Sequence, residues 1–284
     1  MKKFMLSLAL LCGGVMGMQA QLLYKVSKDS TDQKPSYVMA SCRLINPMGT
    51  VSQMGSVKEA MKQTEQMFFE VNKSAYADVL KSAKTLEGGK KLLDLLTPAQ
   101  KTKLNAFLKK YMEVDFRSPY VQRKYGTIVP AALQEDLEQL LFVANHMGEY
   151  DPTHTFDQYF EAQAKVNNET VGGLSDADSY IAATYKADLQ KQVDRLMSFV
   201  ENEATELKKL DKEVAHFNAQ DLDALAQVAE PTVSADTMGA WAAKVEEVMG
   251  QKPTLFVVDA ANMGGEKGLL KALRDKGLTV EGVR

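Results

Sequence analysis

The strand patterns of this chain lie near its two ends, and its long middle carries helical patterns. Apolar and β-branched residues mark strands at 22–26, 36–44, 66–71, 254–258 and 278–283. The first two strands are joined by a polar loop and predict a hairpin. The sequence therefore predicts an α+β fold, in which terminal strands form a central sheet and a large helical middle region covers it.

Helical spacing fills the middle of the chain. The clearest start is Thr97-Pro98-Ala99-Gln100, with Thr at the cap, Pro in the first turn and Gln three residues after the cap. Apolar residues at three- and four-residue intervals predict further helices at 56–64, 131–145, 175–210, 221–229, 237–249 and 266–276. We expect one domain at 21–284, which is long enough to bury a sizeable core.

The last predicted strand runs into Asp259-Ala260-Ala261-Asn262 and then into the glycine-rich turn Gly264-Gly265-Glu266-Lys267-Gly268. A strand that ends in such a turn before a helix is a frequent place for functional residues. The turn lacks the Lys-Ser/Thr ending of a phosphate-binding loop. It therefore predicts a turn into a helix rather than a nucleotide site.

Residues 1–20 have the features of a secretory signal peptide. A basic start, Met1-Lys2-Lys3, precedes a short apolar run that ends near the small residue Ala20. The run is too short to span a bilayer, and no later segment is long enough. We expect cleavage near Ala20 and a periplasmic or secreted protein that is not an integral membrane protein. Lipid attachment at Cys12 is the alternative, although Leu11 stands where a small residue is expected.

Charge and cysteine content exclude some classes of partner and bond. The chain has 34 basic and 37 acidic residues, and loss of the leader leaves 32 basic residues and a net charge of about −5. No basic run is interleaved with aromatic residues, so nucleic acid is not an expected partner. Of the two cysteines, only Cys42 lies outside the leader, so no intramolecular disulfide is expected.

Two acidic residues stand out by their surroundings. Glu70 follows three apolar residues in a predicted strand, where a charge is unfavourable unless it is paired. Glu169 lies in a loop just before a predicted helix cap. A solvent-facing carboxylate is the simpler interpretation of each. The three histidines show no recognised ligand spacing, which favours a solvated loop over a metal site; they are His146, His154 and His216.

Several segments, in their order along the chain, resemble the TraB/GumN family, whose members are relatives of the Tiki metalloproteases. The opening hairpin, a Glu-bearing strand, an Asp-x-Tyr segment, a Gly-Leu-Glu-Thr region and the closing strand–turn–helix–strand unit all have counterparts. They cover nearly all of the mature chain and lie at 23–26 with 35–38, at 68–72, at 157–160, at 169–174 and at 256–283. The resemblance implies the same α+β fold and a metal-dependent protease or hydrolase.

The chain departs from this family at the metal motifs. The family carries Gly-x-x-His after each terminal strand. Here the first copy falls on Ala40-Ser41-Cys42-Arg43 and the second on Asp259-Ala260-Ala261-Asn262. Arg43 and Asn262 thus replace both histidines, and Thr237-Met238 replaces an Arg-Asn pair. Glu70 and Glu169 remain as possible matches to the family's catalytic carboxylates.

These replacements disfavour a metal ion. Hydrolase metals are held by imidazole or carboxylate ligands with one position open for water. Asn262 offers one neutral oxygen, and Arg43 adds a fixed positive charge. At 4 Å and an effective dielectric near 20, two unit charges repel by roughly 4 kcal/mol. Cys42 is expected to face the core, because neighbouring strand residues face opposite ways.

Three functions remain open. The first is an exported, catalytically impaired relative that needs no cofactor and binds a peptide or an envelope protein in the old cleft. The second is a working hydrolase with rebuilt ligands, in which Glu70, Glu169, Asp259 and a histidine from the middle region hold manganese or another divalent cation. The third is a structural envelope protein whose helical middle makes the contacts.

The resemblance also implies a role for Arg43. It places Glu70, Glu169 and Asp259 around one pocket, where mutual repulsion would raise their pKa values. We expect the Arg43 guanidinium to replace the metal's positive charge there, since its planar fork binds two carboxylates. Arg43, Asp259 and Asn262 are therefore the predicted binding positions.

Overall fold

Strands from both ends of the chain form one mixed sheet. The computed structural model describes residues 21–28, 34–51, 53–147, 150, 154–229 and 231–284, and the predicted signal peptide lies outside them. The strands are β1 (Leu23–Ser27), β2 (Ser36–Ser41), β3 (Gln66–Phe69), β4 (Thr170–Gly173), β5 (Thr254–Asp259) and β6 (Thr279–Gly282). Their order across the sheet is β4-β3-β5-β2-β1-β6. The predicted α+β class and the predicted hairpin are confirmed.

Four neighbouring strands run parallel, which brings their carboxyl ends to one edge of the sheet. β4 pairs with β3, β3 with β5, and β5 with β2, all in parallel. In register, Ser41 lies opposite Asp259, and Phe69 lies opposite both Val257 and Gly173. Strand β1 is antiparallel to β2 and β6. The residues that follow β2, β3, β4 and β5 therefore lie close together.

Helices cover the sheet and form the middle of the chain, as predicted. The helices are α1 (Pro47–Val51), α2 (Gly55–Gln63), α3 (Ala77–Ala83), α4 (Pro98–Met112), α5 (Pro119–Tyr125), α6 (Pro130–Asn145), α7 (Phe156–Asn167), α8 (Ala177–Thr184), α9 (Leu189–Glu201), α10 (Glu203–Asn218), α11 (Leu222–Leu225), α12 (Ala235–Met249) and α13 (Leu269–Asp275). Short 3-10 turns lie at Glu87–Gly89, Leu92–Leu95 and Ala260–Asn262. Thr97 and Gln100 cap α4 reciprocally, as the sequence predicts. None of the described helices combines the length and the apolar character needed to cross a bilayer.

The single helix predicted over 175–210 is wrong, because three helices occupy this region. The backbone leaves helical geometry at Asp188 and again at Asn202. The Asp188 side chain accepts a hydrogen bond from the Lys191 N–H and so starts a new helix. Short polar side chains compete for backbone groups in this way, and apolar periodicity alone does not reveal it.

Strand β4 is absent from the sequence-based prediction, which assigned this region to a loop. Its two glycines give a weak strand signal. Gly172 packs beneath the Phe68 ring, where an added Cβ atom would lie 2.4 Å from a ring carbon. The strand therefore forms through pairing and close packing rather than through local propensity.

The core lies between the sheet and the helices. Trp241 on α12 is 1 % exposed, and its ring N–H donates to the Ser175 hydroxyl at 2.7 Å. Leu255, Phe256 and Val257 in β5 and Leu269 in α13 are also buried. The last four of these residues lie in the predicted strand at 254–258 and the predicted helix at 266–276.

Candidate functional site

A cleft of about 410 Å³ lies at the edge where the parallel strands end. Its floor contains Ser41 from β2, Asp259 from β5 and Glu70, which directly follows β3. Its walls come from the turn before α3 and from the first turn of α7. Ligand sites commonly lie beyond the carboxyl ends of parallel strands, because loops from several strands meet there.

The polar centre of this cleft is a hydrogen-bonded group around Glu70. Its Oε1 accepts hydrogen bonds from the Asp259 N–H at 3.0 Å and from Asn262 Nδ2 at 2.8 Å. Asn262 is 0 % exposed, and its Oδ1 accepts from the Thr232 N–H at 2.8 Å. A backbone N–H can only donate, so the Asn262 oxygen faces Thr232 and its NH2 group faces Glu70.

Asp259 is the second carboxylate of the cleft floor. Its Oδ1 accepts from the Ala261 N–H at 3.0 Å and caps the 3-10 turn that follows β5. Burial, followed by the Asp259 charge, raises the pKa of Glu70 to about 7. Burial also raises the pKa of Asp259, although the Arg43 charge opposes this. The two carboxylates thus share a site that favours protonation or a nearby cation.

The Arg43 guanidinium binds two carboxylates, but not those that the sequence predicts. Its Nη2 lies 2.6 Å from Glu138 on α6, and its Nη1 lies 3.7 Å from Glu213 on α10. Arg43 also interacts with Asp259 electrostatically. The chain turns away from the sheet after β2, so the side chain reaches the helices instead of Glu70. The side chain of Arg43 is 44 % exposed, at the rim of the cleft.

Glu169 lies at the opposite end of the sheet. It precedes Thr170, which pairs with Gln66 at the start of β3, whereas Glu70 follows the end of β3. Its Oε1 accepts from Asn167 Nδ2 at 2.9 Å, and its buried Oε2 has no hydrogen-bond partner among the described residues. Of the three residues that the resemblance groups, the structure thus brings Glu70 and Asp259 together and places Glu169 apart from them.

The wall formed by α3 and α7 carries a second set of polar residues. Lys73 lies 2.8 Å from Asp157, and the Ser74 hydroxyl donates to Glu161. Thr155 caps α7 by accepting from the Gln158 N–H. Asp157 lies in the Asp-x-Tyr segment of the family resemblance. No sequence pattern identifies Lys73, Ser74 or Glu161 as residues of the cleft.

The residues of the cleft do not fit a metal ion. Across the described ranges, no three His, Cys, Asp or Glu residues lie close enough together to hold one. Asn262 directs N–H bonds towards Glu70, so its amide presents a donor where a metal needs a lone pair. Burial raises the pKa of Cys42 to about 12, which keeps this core residue a neutral thiol.

Histidine does not supply the missing ligand. None of the cleft-lining residues is a histidine. The His146 ring nitrogen lies 2.8 Å from Asp211 on α10. The segment between His146 and His154 lies partly outside the described residues, at 148, 149 and 151–153. The rebuilt ligand set that includes Glu169 and a histidine is therefore not assembled in the described part of the chain.

The glycine-rich turn serves packing, in agreement with its interpretation as a turn into a helix. A Cβ atom on Gly264 would lie 2.1 Å from the Leu222 carbonyl oxygen of α11. Gly265 has a φ of 70°, a left-handed conformation that favours glycine. Gly268 is the cap residue of α13.

Comparison with known proteins gives one match. A family model, described as the TraB/PrgY/gumN family, matches residues 22–282. No curated protein and no solved structure matches the chain.

Ser175, and not Glu169, is the residue next to β4 that lies beside Glu70. The Ser175 N–H donates to the Glu70 carbonyl at 2.8 Å, at the carboxyl end of the sheet. Glu169 comes directly before β4, whereas Ser175 follows it.

Proposed function

The chain belongs to the TraB/PrgY/gumN family, and we propose that it is an exported member whose cleft binds a peptide or an envelope protein without metal-dependent hydrolysis. The observation that carries this proposal is the contact between Asn262 and Glu70. A carboxylate oxygen that accepts two hydrogen bonds at 2.8 and 3.0 Å is already satisfied by protein donors. It has little reason to bind a metal through that oxygen.

The cation at the cleft rim supports the same conclusion. Arg43 stands where the family resemblance expects a histidine ligand, and its charge is fixed at all physiological pH values. A guanidinium near Asp259 opposes a divalent ion at the same place. At the same time its ion pairs connect α6 and α10 to the chain just after β2.

Export is supported by the sequence of residues 1–20, which combines a basic start, an apolar run and a small residue at position 20. A peptide or a protein segment is the proposed ligand class, because the cleft is open at its rim and is lined by both apolar and charged side chains. Its volume of about 410 Å³ suits a few side chains rather than a folded domain.

The test is metal-dependent hydrolysis by the purified protein. Fluorogenic peptide pools are incubated with manganese or zinc and, in parallel, with a chelator. We expect no hydrolysis above a heat-denatured control, and no heat of metal binding by calorimetry. The triple variant Arg43→His, Asp259→Gly and Asn262→His, which restores both histidines of the family motifs, is expected to gain metal affinity. Hydrolysis by the unmodified protein that the chelator abolishes would contradict the proposal.

A further inference from the structure

The charges that line the cleft are unbalanced. Lys73 and Arg43 supply its positive charges, and four acidic residues face them: Glu70, Asp157, Glu161 and Asp259. Both cations are already paired. Lys73 lies 2.8 Å from Asp157, and Arg43 pairs with Glu138 and Glu213, which lie outside the cleft lining. The positive charges of the cleft are therefore largely used within the protein.

Neither Glu70 nor Asp259 forms a direct ion pair within the described residues, although the charges of Lys73 and Arg43 act on them from a longer distance. No lysine or arginine of the described residues lies within 4.0 Å of either carboxylate, the distance that defines an ion pair. One oxygen of each carboxylate accepts hydrogen bonds from uncharged donors, which are the Asn262 amide and backbone N–H groups. Two partly buried carboxylates that repel each other are stabilised when a cation binds between them. Burial is the first cause of the raised pKa of each carboxylate, and the charges of Lys73 and Arg43 offset it only in part.

An exposed aromatic residue lies next to the cleft in the chain. Ser74 and Ala77 line the cleft, and Tyr76, which lies between them, remains 41 % exposed. Exposed aromatic side chains next to a polar pocket are typical of surfaces that bind a peptide.

We propose that the cleft binds a peptide through a basic side chain, whose ammonium or guanidinium group lies against Glu70 and Asp259 while an apolar neighbour in the peptide contacts Tyr76. This inference rests on the proposed peptide-binding function and adds the chemical class of the ligand. Charge complementarity selects a lysine or arginine, because a neutral or acidic side chain leaves the two carboxylates unpaired.

The experiment uses biotinylated peptide pools that differ at one central residue, which is lysine, arginine, glutamine or glutamate, with all neighbours randomised. Binding of each pool to the purified protein is measured by biolayer interferometry at neutral pH and low salt. We expect the lysine and arginine pools to bind at least about fivefold more tightly than the glutamine pool, and the glutamate pool to bind most weakly. Added salt should reduce the difference, since it screens charge pairs at the rim.

Two variants locate the effect. Glu70→Gln with Asp259→Asn keeps the hydrogen-bond acceptors but removes both charges, and it should lose the preference for basic pools. Glu65→Gln removes one exposed carboxylate at the other end of the sheet and should keep that preference. Equal binding of the basic and glutamine pools by the unmodified protein would overturn the inference while leaving peptide binding itself intact. Failure of every pool to bind would overturn both the inference and the peptide form of the proposed function.

Discussion

Asn262 donates a hydrogen bond of 2.8 Å to Glu70 and so connects the turn after β5 to the residue that follows β3. Asn262 is fully buried, and Thr232 fixes the orientation of its amide group. The two side chains thus stabilise the cleft floor as one unit. A substitution at either residue changes the hydrogen bonding of the other, so it should have a measurable effect on the stability of the protein.

Replacing Asn262 with alanine should lower the free energy of unfolding by about 2–4 kcal/mol. The change leaves the Glu70 carboxylate with one donor fewer and removes the acceptor of the Thr232 N–H. Urea unfolding followed by circular dichroism measures the effect. The exposed Asn218→Ala serves as control and should lie within about 0.5 kcal/mol of the unmodified protein. Equal midpoints for Asn262→Ala and this control would refute the role given to the contact.

The raised pKa of Glu70 predicts a pH dependence of stability. Between the ordinary value of 4.5 and the folded-state value of about 7, the folded carboxyl group keeps a proton that the unfolded chain has released. Stability therefore falls as pH rises through this window. Residue 70 cannot titrate in Glu70→Gln. The free energy of unfolding of this variant, relative to that of the unmodified protein, should therefore rise by about 1–3 kcal/mol from about pH 5 to about pH 8.

Urea unfolding at both pH values checks this expectation, with Glu65→Gln as the control at the opposite end of the sheet. A constant difference between Glu70→Gln and the unmodified protein across the window would show that Glu70 ionises as it does in an unfolded chain.

Arg43→Ala should destabilise the protein by about 1–3 kcal/mol, because Glu138 and the largely buried Glu213 lose their shared cation. Arg123→Ala is the matched control, since Arg123 is exposed and forms no ion pair within the described residues. Thermal unfolding with and without manganese measures both stability and any metal affinity. If Arg43→Ala and Arg123→Ala melt alike, the pairing of Arg43 with α6 and α10 does not stabilise the fold.

Export predicts a shortened chain. Residues 1–20 should be removed, so that mass spectrometry of the protein produced in its own cells finds an amino terminus near Gln21. Cell fractionation should place this form outside the cytoplasm. Full-length chain retained in the cytoplasm is the outcome that rules out the prediction.

The terminal strands were predictable because their apolar runs are strong and their neighbours are clear turn residues. The hairpin of β1 and β2 and the cap at Thr97 follow from local chemistry alone. Strand β4 was not predictable, since Gly172 and Gly173 owe their conformation to Phe68 and to pairing with β3. The family resemblance placed Glu169 in the cleft, whereas pairing of β4 with β3 puts it at the other end of the sheet.

The cleft was only partly predictable for a similar reason. Glu70 and Asp259 follow strands that are visible in the sequence, so their proximity follows from a parallel sheet. The partners of Arg43 come from two distant helices and depend on how these helices pack. Glu213 gave one usable signal, because it lies between Leu210 and Val214 on the buried face of α10, where a charge needs a partner.

The position of β5 in the sheet limits the order in which this chain can fold. It lies between β3 and β2, but the ribosome makes it long after both. β2 cannot find its parallel neighbour until residues 254–259 have emerged, after more than two hundred intervening residues. Long-range pairing of this kind folds slowly. The parallel part of the sheet therefore stays incomplete until β5 has been made.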